Sequence, residues 1–344
     1  MKRLTIRDVA ERAGVSVGTI SNALNRPDRV ADETLARIRE AIDDLGFVRN
    51  AAARQLRGVR SPAIGLVVLD IDNPFFTEVA RGVEAAASEI DHLVILCNSA
   101  GDRSREDKQL RLLEEQRVAG VLITPAGRQA SKLQQQIRER GTPVVLLDRR
   151  SPRRDRCSVA VDDVKGGRLA GQHLAELGHT RIGLINGPRE INQCADRRAG
   201  FLAALEENSI KLTAPNDIEM DALTIAAGEA AAKRLLARKN PPTAIFCGND
   251  LMALGAEHAV VTAGLHLPDD IAIVGYDDVP FAGMAFVPLT SIRQPAYELG
   301  YRAAELLLEE ASGEPHHHEQ VMFIPELVAR QSSLGIGAAA RGQA

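Results

Sequence analysis

The pattern of apolar and polar residues at the start of the chain predicts a short amphipathic helix. The apolar residues that recur there at helical spacing are Ile6, Val9, Ala10 and Ala13. Thr5 is placed to cap the first turn together with Asp8, and Gly14 follows as a stop signal. Such a helix has one apolar face, which a second element must cover.

A second short helix is predicted after the turn Gly14-Val15-Ser16. Ser16 can cap this helix, Ile20 and Leu24 face inward, and three polar side chains face outward. These polar residues are Thr19, Ser21 and Asn22. Two short helices joined by a turn containing Gly are typical of the helix-turn-helix, whose second helix enters the DNA major groove. Spacing alone is also compatible with any small helical hairpin.

A third helix is predicted after a break at Arg26-Pro27-Asp28. Asp32 can cap this helix and Gly46 can end it. Its buried stripe is predicted to be Leu35, Ile38, Ile42 and Leu45. Residues 50–58 then form a short Ala-rich segment with Arg side chains, which is too short to be a stable isolated helix in water.

From Ala63 onward the pattern changes to short apolar runs separated by helical stretches. Four runs form a first series and three form a second, and each is typical of a buried parallel strand. The runs are IGLVVL (64–69), LVILC (93–97), GVLIT (120–124), PVVLL (143–147), IGLIN (182–186), AIFCG (244–248) and IAIVGY (271–276). Two such series predict two doubly wound lobes, with a ligand crevice at the carboxyl ends of the strands. The chain should cross between the lobes near Val161–Asp163, Thr290–Ile292 and Phe323–Pro325.

Residues 4–58 resemble the DNA-binding headpiece of the LacI/GalR family of bacterial transcription repressors. The matching segments, in order and without a gap, are TIRDVAERAGVSVGTISNALN, VADETLARIREAIDDLGFVRN and AARQLRG. Residues 62 to about 334 resemble the periplasmic sugar-binding-protein fold. We therefore expect an N-terminal all-α helix-turn-helix headpiece and an α/β periplasmic-binding-protein-like body of two doubly wound parallel-sheet lobes. The expected boundaries are 1–49 for the headpiece, 50–60 for a hinge helix or linker, 61–162 with 291–323 for the first lobe, 163–290 with 324–338 for the second lobe, and 339–344 for a flexible tail.

The same resemblance implies which headpiece residues contact DNA. Thr19 and Ser21 resemble positions that contact phosphates, whereas Val17, Gly18 and Asn22 occupy positions that face base edges. Only Asn22 among these can read an adenine with two hydrogen bonds, since Val17 offers apolar contact and Gly18 has no side chain. The expected set is Thr5, Ser16, Val17, Gly18, Thr19, Ser21, Asn22, Asn25, Arg29, Asn50, Leu56 and Arg57.

The resemblance also implies a role for the segment after the headpiece. It would be a hinge helix that folds only on DNA, pairs with that of a dimer mate and inserts Leu56 into a minor-groove base step, with Arg57 beside it. A plain linker is the alternative. An apolar Leu between basic neighbours in an otherwise polar segment favours the wedge.

Length, composition and charge agree with this division. A chain of 344 residues that is 45% hydrophobic and 26% charged suits two or three globular domains. The net charge of −4 conceals a segregation, because residues 1–60 hold 12 Lys and Arg against 8 Asp and Glu. A basic head attracts the phosphate backbone while an acidic body discourages non-specific adhesion. Without a run of about 18 apolar residues or an apolar signal region, we expect a cytoplasmic, nucleoid-associated protein with no membrane partner.

Polar residues that follow the predicted strands are the candidates for ligand binding. Phe75 and Phe76 are unusual in a chain with no Trp, three Tyr and eight Phe. They could form a wall for the apolar side of a sugar ring, or they could pack the start of the following helix. The candidate set is Asn73, Phe75, Phe76, Asp148, Arg149, Arg197, Leu223, Asn249, Asp277 and Gln294. Its carboxylates, guanidiniums and amides suit a neutral polyhydroxylated ligand.

The resemblance narrows the predicted class of ligand. All of these residues except Leu223 match a ribose-binding type of pocket position by position, which implies a monosaccharide, with a pentose favoured. Leu223 stands where relatives carry an aromatic residue. Ile191 and Gln193 stand where the purine-responsive branch of the family carries Arg and Thr, which argues against a free purine base.

The remaining features predict no cofactor, metal site or catalytic centre. Neither GxGxxG nor GxxxxGK[ST] occurs in the chain. The run His316-His317-His318 is expected to be solvated in a Gly/Pro loop, because three consecutive His cannot all face one ion. The four cysteines form no CxxC pair and are interpreted as reduced packing residues.

The sequence therefore predicts a sugar-responsive repressor that binds a pseudo-palindromic DNA operator as a homodimer. The effector could instead be a nucleoside or another sugar derivative, and whether it releases or tightens the DNA complex stays open. A solute-binding transport protein is the alternative class, which the headpiece opposes. An enzyme acting on sugars is opposed by the missing catalytic motifs. No Leu heptad occurs in residues 335–344, so no tetramer-forming coiled coil is expected.

Overall fold

The chain divides into two compact units, residues 1–60 and residues 61–344. The computed structural model describes residues 4–47, 61–128 and 131–334. The predicted hinge segment and tail, including Asn50, Leu56 and Arg57, lie outside the described residues. Within the described part of the chain, no helix combines the length and the apolar character needed to span a membrane.

The first unit contains the three predicted helices. They are α1 (Ile6–Ala13), α2 (Val17–Asn25) and α3 (Asp32–Leu45), with a 3-10 turn at Pro27–Arg29. The predicted start of α1 is confirmed, because the Thr5 N–H donates to Asp8 Oδ2 over 2.7 Å. Gly14 ends this helix at φ +64°, a left-handed conformation that favours glycine. The start of α2 is also confirmed, because Ser16 Oγ accepts from the Thr19 N–H over 3.0 Å.

The prediction that Asp32 caps α3 is wrong. The cap position is Ala31, which has no side-chain cap, and Asp32 is the first helical residue. Its carboxylate still lies in the first turn, where the helix dipole favours negative charge. The three helices enclose a small core of Val9, Ala10, Ala13, Ile20, Ile38 and Ala41. Arg37 joins α3 to α1 because its Nη2 donates to the Ala13 carbonyl over 3.0 Å.

The second unit is built on two six-stranded sheets. In spatial order, the first sheet is β11 (Gln320–Phe323), β5 (Ser158–Val161), β4 (Val144–Leu147), β3 (Gly120–Ile123), β1 (Ala63–Val68) and β2 (Leu93–Asn98). The second sheet is β12 (Glu326–Val328), β10 (Thr290–Arg293), β9 (Ala272–Asp277), β8 (Ala244–Cys247), β6 (Ile182–Asn186) and β7 (Asp217–Glu219). Every pairing is parallel except that of β12 with β10.

Helices surround each sheet and complete two lobes. They are α4 (Pro74–Ser88), α5 (Arg103–Glu115), α6 (Lys132–Glu139), α7 (Asp163–Glu176), α8 (Asn192–Glu207), α9 (Ile225–Leu236), α10 (Asp250–Thr262), α11 (Ala296–Ala311) and α12 (Gln331–Leu334). The helices α7 and α8 approach each other closely at Gly167. Only glycine fits there, because a Cβ at this position would lie 1.9 Å from the Arg197 carbonyl oxygen. This close approach holds the backbone of Arg197 against α7.

One predicted crossing between the lobes is misplaced by a few residues. The strand Thr290–Arg293 pairs with β9 in the second sheet, so the chain leaves the second lobe after Arg293 and not within Thr290–Ile292. It then forms α11, which packs on β3 and β4 of the first sheet. The other two crossings follow β5 and β11, where they were expected.

The prediction that the run 93–97 is buried is also wrong. It forms β2 at the edge of the first sheet, with Leu93, Ile95 and Leu96 exposed by 71%, 38% and 44%. A short apolar run predicts a strand but does not reveal whether the same chain covers it. An apolar edge of this kind is a feature of interaction surfaces.

Candidate functional site

A cavity of about 360 Å³ lies between the two lobes, at the carboxyl ends of their strands. Eight of the ten candidate ligand residues line it, namely Asn73, Phe75, Phe76, Asp148, Arg197, Leu223, Asn249 and Asp277. Both lobes contribute, since Asp148 follows β4 of the first sheet and Asp277 ends β9 of the second. The parallel strands place these side chains together because their carboxyl ends share one edge of each sheet.

Asn73 and Asp277 join the two lobes across the cavity. The Asn73 Oδ1 accepts from the Phe75 N–H over 3.0 Å and so caps α4. Its Nδ2 donates to Asp277 Oδ2, also over 3.0 Å. Asp277 has φ +111°, an unfavourable backbone conformation for a residue with a side chain. The strained end of β9 therefore holds this carboxylate at the lobe interface.

Asp148 and Gln193 form a second bridge between the lobes. Gln193, in the first turn of α8, donates from Nε2 to the carbonyl oxygen and to Oδ2 of Asp148, over 2.7 and 2.8 Å. Asp148 also has positive φ, at +53°. Its Oδ1 is buried and has no hydrogen-bond partner within the described part of the chain. This oxygen is an acceptor available to a ligand hydroxyl.

Gln193 was not among the predicted site residues. In the sequence, Gln193 stands out only as a departure from the pattern of the purine-responsive branch. Its place in the first turn of the helix after β6, at the carboxyl edge of the sheet, is a signal that could have identified it.

Arg197 is the central cation of the cavity. Its Nε donates to Asp163 Oδ1 over 2.8 Å, and its Nη1 donates to the Gly248 carbonyl over 2.7 Å. Nη1 also lies 3.7 Å from Asp277 Oδ1, and the guanidinium carbon lies 3.7 Å from the centre of the Tyr276 ring. Burial alone would lower the pKa of Arg197, but Asp163, Tyr276 and Asp277 outweigh this effect and raise it. The guanidinium is therefore permanently charged.

The two cavity aspartates respond to the same environment in different degrees. Burial raises the pKa of Asp277 to about 6, against the opposing effects of Arg197 and of the amides of Asn73 and Gln294. Burial, with the nearby charge of Asp163, raises the pKa of Asp148 to about 8. Near neutral pH, Asp277 is an acceptor for a ligand, whereas Asp148 holds a proton and can also donate.

The raised pKa of Asp148 predicts a pH dependence of stability. The folded protein keeps a proton that the unfolded chain loses near the ordinary pKa of 3.8, so the free energy of unfolding falls as pH rises from about 4 to about 8. Asp148→Asn should flatten this slope in chemical denaturation across that range. Asp269→Asn, at an exposed position, is the control and should keep it. An unchanged slope in Asp148→Asn would show that Asp148 is ionised in the folded protein.

Two predicted ligand residues do not line the cavity. Arg149 turns away, since Nη1 donates to the Gly127 carbonyl over 2.6 Å and Nη2 donates to that of Arg128. Gln294 lies behind Asp277, to whose Oδ1 its Nε2 donates over 2.7 Å. Gln294 therefore orients the carboxylate, and its proposed direct contact with ligand is corrected to a positioning role.

The apolar part of the cavity has an aromatic wall. The rings of Phe75 and Phe76 lie 5.1 Å apart at 73°, an edge-to-face arrangement. Both rings are buried in the core of the first lobe and both also line the cavity. Packing of the helix and formation of the wall are thus two effects of the same residues. Leu223 lies on the facing lobe, where its carbonyl accepts from Asn249 Nδ2 over 3.1 Å.

The outer face of α2 presents the predicted base-reading residues. Val17 is 41% exposed, and Gly18 and Asn22 are also exposed. Thr19 and Ser21 are half-buried. The Asn25 amide is engaged within the helix, because its Nδ2 donates to the Ser21 carbonyl over 2.8 Å. Thr5, Ser16 and Arg29 are exposed at the ends of the helices.

A three-helix reader of DNA and a two-lobed body with a polar cavity define a ligand-controlled transcriptional regulator. Comparisons with known proteins agree. Residues 5–50 match the model of bacterial regulatory proteins of the lacI family, and residues 61–330 match that of periplasmic binding proteins and the sugar binding domain of the LacI family. The chain belongs to the LacI family, as a DNA-binding transcriptional repressor with an effector-binding domain, and it is not an enzyme.

Similar proteins extend over nearly the whole chain. The HTH-type transcriptional repressor PurR of Photobacterium profundum is 36% identical over 330 residues, which are 95% of this chain and 98% of that protein. A lac repressor dimer bound to operator and the anti-inducer ONPF is 27% identical with a TM-score of 0.84, covering 96% and 99% of the two chains. A LacI family regulator from Enterococcus faecium with bound ribose is 29% identical with a TM-score of 0.71, covering 79% and 98%.

Proposed function

We propose that a monosaccharide, with a pentose such as ribose favoured, binds between the two lobes and releases this repressor from a pseudo-palindromic operator. The observation that supports this effector is the composition of the cavity. Asp148, Asp277 and Arg197 offer hydrogen-bonding groups of both kinds, and Phe75 and Phe76 offer a wall for the apolar side of a sugar ring. A volume of about 360 Å³ is near the lower end of the range for ligand sites, about 300–1,000 Å³.

The two bridges between the lobes suggest how such a ligand would act. Asn73 with Asp277, and Gln193 with Asp148, hold the lobes together through the polar groups that a sugar would use. A ligand that replaces these contacts with its own hydroxyls changes the relative stability of the open and closed arrangements. It can shift DNA affinity only by its differential affinity for the two states, typically ~1–3 kcal/mol per coupled site.

A nucleoside is the second candidate effector. Ile191 and Leu223 form an apolar side of the cavity on the second lobe, where a flat base could pack while its ribose contacts the polar groups. A free purine base is disfavoured, because Ile191 and Gln193 stand where the purine-responsive branch of the family carries Arg and Thr.

A thermal-shift and operator-binding screen tests this proposal. Purified protein is heated with pentoses, hexoses, nucleosides and purine bases, and each stabilising compound is then added to the operator complex. A pentose at 100 times its dissociation constant should add ~2.7 kcal/mol of stability and weaken operator binding. Stabilisation by a nucleoside alone would favour the second candidate. Operator binding that is indifferent to every compound would contradict effector control by these ligands.

We also propose that the repressor is a homodimer that uses the β2 edge. A pseudo-palindromic operator requires two headpieces related by a two-fold axis. The exposed apolar side chains Leu93, Ile95 and Leu96 form an apolar strand edge of the kind that a partner covers. Leu96→Glu should therefore give monomers in sedimentation velocity, whereas Leu177→Glu, at an exposed apolar position of the second lobe, should not. A dimer of unchanged affinity in Leu96→Glu would exclude this edge.

A further inference from the structure

Four potential metal ligands converge on the first lobe, at the edge of the sheet opposite the effector cavity. Cys157 immediately precedes β5, Glu310 lies in the last turn of α11, and His316 and His318 lie in the loop before β11. One ligand atom from each, a Sγ, a carboxylate oxygen or a ring nitrogen, lies within 4.8 Å of the other three. The amino ends of β5 and β11 face this cluster, so it is separate from the cavity at their carboxyl ends.

The distances within the cluster are close to those of a tetrahedral site. Cys157 Sγ lies 3.0 Å from His316 Nε2 and 3.7 Å from His318 Nδ1. His318 Nδ1 lies 3.9 Å from Glu310 Oε2. Zinc bonds of about 2.3 Å to sulfur and about 2.0 Å to nitrogen or oxygen place tetrahedral ligand atoms about 3.3–3.6 Å apart. The three separations given above lie within about 0.6 Å of these tetrahedral values, and every other separation in the cluster is at most 4.8 Å.

The expectation that the histidine run is solvated holds for His317 and His318, which are exposed, whereas His316 is half-buried. Three consecutive His cannot all bind one ion, and the structure leaves His317 exposed. His316 and His318, however, both approach Cys157, because alternate residues of an extended segment point to the same side. Cys157 lies far away in sequence, so the run alone gave no sign of the other ligands.

The electrostatic surroundings of the cluster favour a cation. Glu310 Oε2 is buried and has no hydrogen-bond partner in the described part of the chain. Glu309 Oε2 lies 3.7 Å from Nδ1 of His316, the usual place for an outer carboxylate that orients a metal-bound imidazole. Glu319 adds a further negative charge near Cys157. A coordinating thiol binds a metal as the thiolate, and the surrounding carboxylates stabilise the ion.

We propose that Cys157, Glu310, His316 and His318 bind one Zn²⁺ ion. Thiolate, imidazole and carboxylate together suit zinc, whereas Mg²⁺ and Ca²⁺ prefer oxygen ligands alone. The ion would cross-link the end of α11 to the segments that immediately precede β5 and β11. These two strands lead directly into crossings between the lobes, so zinc would stabilise the part of the first lobe from which those connections emerge.

The test uses the full-length protein, stripped with a chelator and returned to equimolar zinc. We expect one zinc per chain by mass spectrometry of metals, and a higher unfolding temperature with zinc than with Mg²⁺ or Ca²⁺. His316→Ala and His318→Ala should each weaken zinc binding by roughly 100-fold or more, measured by competition with a chromophoric chelator. His317→Ala, in the same run but outside the cluster, is the matched control and should bind zinc like the unmodified protein.

Cobalt provides a second readout that identifies the thiolate. Co²⁺ should give a sulfur-to-cobalt charge-transfer band that Cys157→Ser removes and Cys97→Ser keeps. His318→Ala changes a side chain that is 29% exposed, so the circular dichroism spectrum and the zinc-free unfolding temperature of this variant should match those of the unmodified protein. The proposal is overturned if the protein binds no zinc, or if His316→Ala, His318→Ala and His317→Ala bind it equally well.

Discussion

Arg197→Ala will abolish the effector response while the headpiece keeps its ability to bind operator DNA. Arg197 is buried against Asp163 and Asp277, and its loss leaves these carboxylates without their shared counter-ion. Removing one partner of a buried ion pair costs about 3–5 kcal/mol, so the melting temperature of the body should fall as well. Isothermal titration should show effector affinity reduced by roughly 100-fold or more.

Arg198→Ala is the matched control for this variant. Arg198 is the next residue on α8, but it is partly exposed and pairs with Asp217 away from the cavity. It should lose little stability, because pairs near the surface contribute about 0–1 kcal/mol, and it should keep the effector response. Arg197→Lys keeps a charge without the forked geometry and separates lost charge from lost orientation. A normal response in Arg197→Ala would remove the central residue of the proposed site.

Asn22→Ala will weaken binding to the specific operator without weakening non-specific DNA binding. Asn22 is exposed on the outer face of α2, and its amide can form two hydrogen bonds with an adenine edge. Such a pair provides about 1–3 kcal/mol of discrimination, so operator affinity should fall by about 10- to 100-fold. Fluorescence anisotropy with operator and scrambled DNA at the same salt concentration measures both effects.

Arg29→Ala provides the contrasting behaviour. Arg29 is exposed in the turn after α2, and a cation that contacts phosphate supports all sequences alike. Its loss should weaken operator and scrambled DNA together and reduce the salt dependence by about one unit of slope per contact. Asn22→Ala should leave that slope unchanged. If Asn22→Ala lowered both affinities equally, α2 would hold the DNA without reading bases through this residue.

Features determined by neighbouring residues were predictable from the sequence. The capping of α1 by Thr5 and Asp8 and of α2 by Ser16 depends on spacings of three residues, and all these contacts form. The strand IGLIN (182–186) has the predicted bounds, because Arg181 precedes its apolar run and Gly187-Pro188 follows it as a break signal. The approximate edge of the sheet at which ligand residues gather also followed from the order of the strands.

The direction of individual side chains was not predictable, because distant parts of the chain decide it. Arg149 turns from the cavity towards carbonyl groups more than 20 residues earlier in the chain, at Gly127 and Arg128. Asn73 and Asp277 meet from positions 204 residues apart. The contact of Cys157 with His316 likewise joins residues 159 positions apart. A local sequence pattern covers too few residues to reveal contacts between positions so far apart.

Each lobe is assembled from separate segments of the chain, and the order of these segments affects folding during synthesis. The first lobe begins at β1, but its sheet lacks β11 and the cover of α11 until residues 296–323 have been made. Although its first strand is translated early, this lobe cannot complete its core on the ribosome before residues 296–323 have emerged. The headpiece, whose described core residues end at Phe47, has no such delay. A nascent repressor would therefore acquire its DNA reader well before it could sense any metabolite.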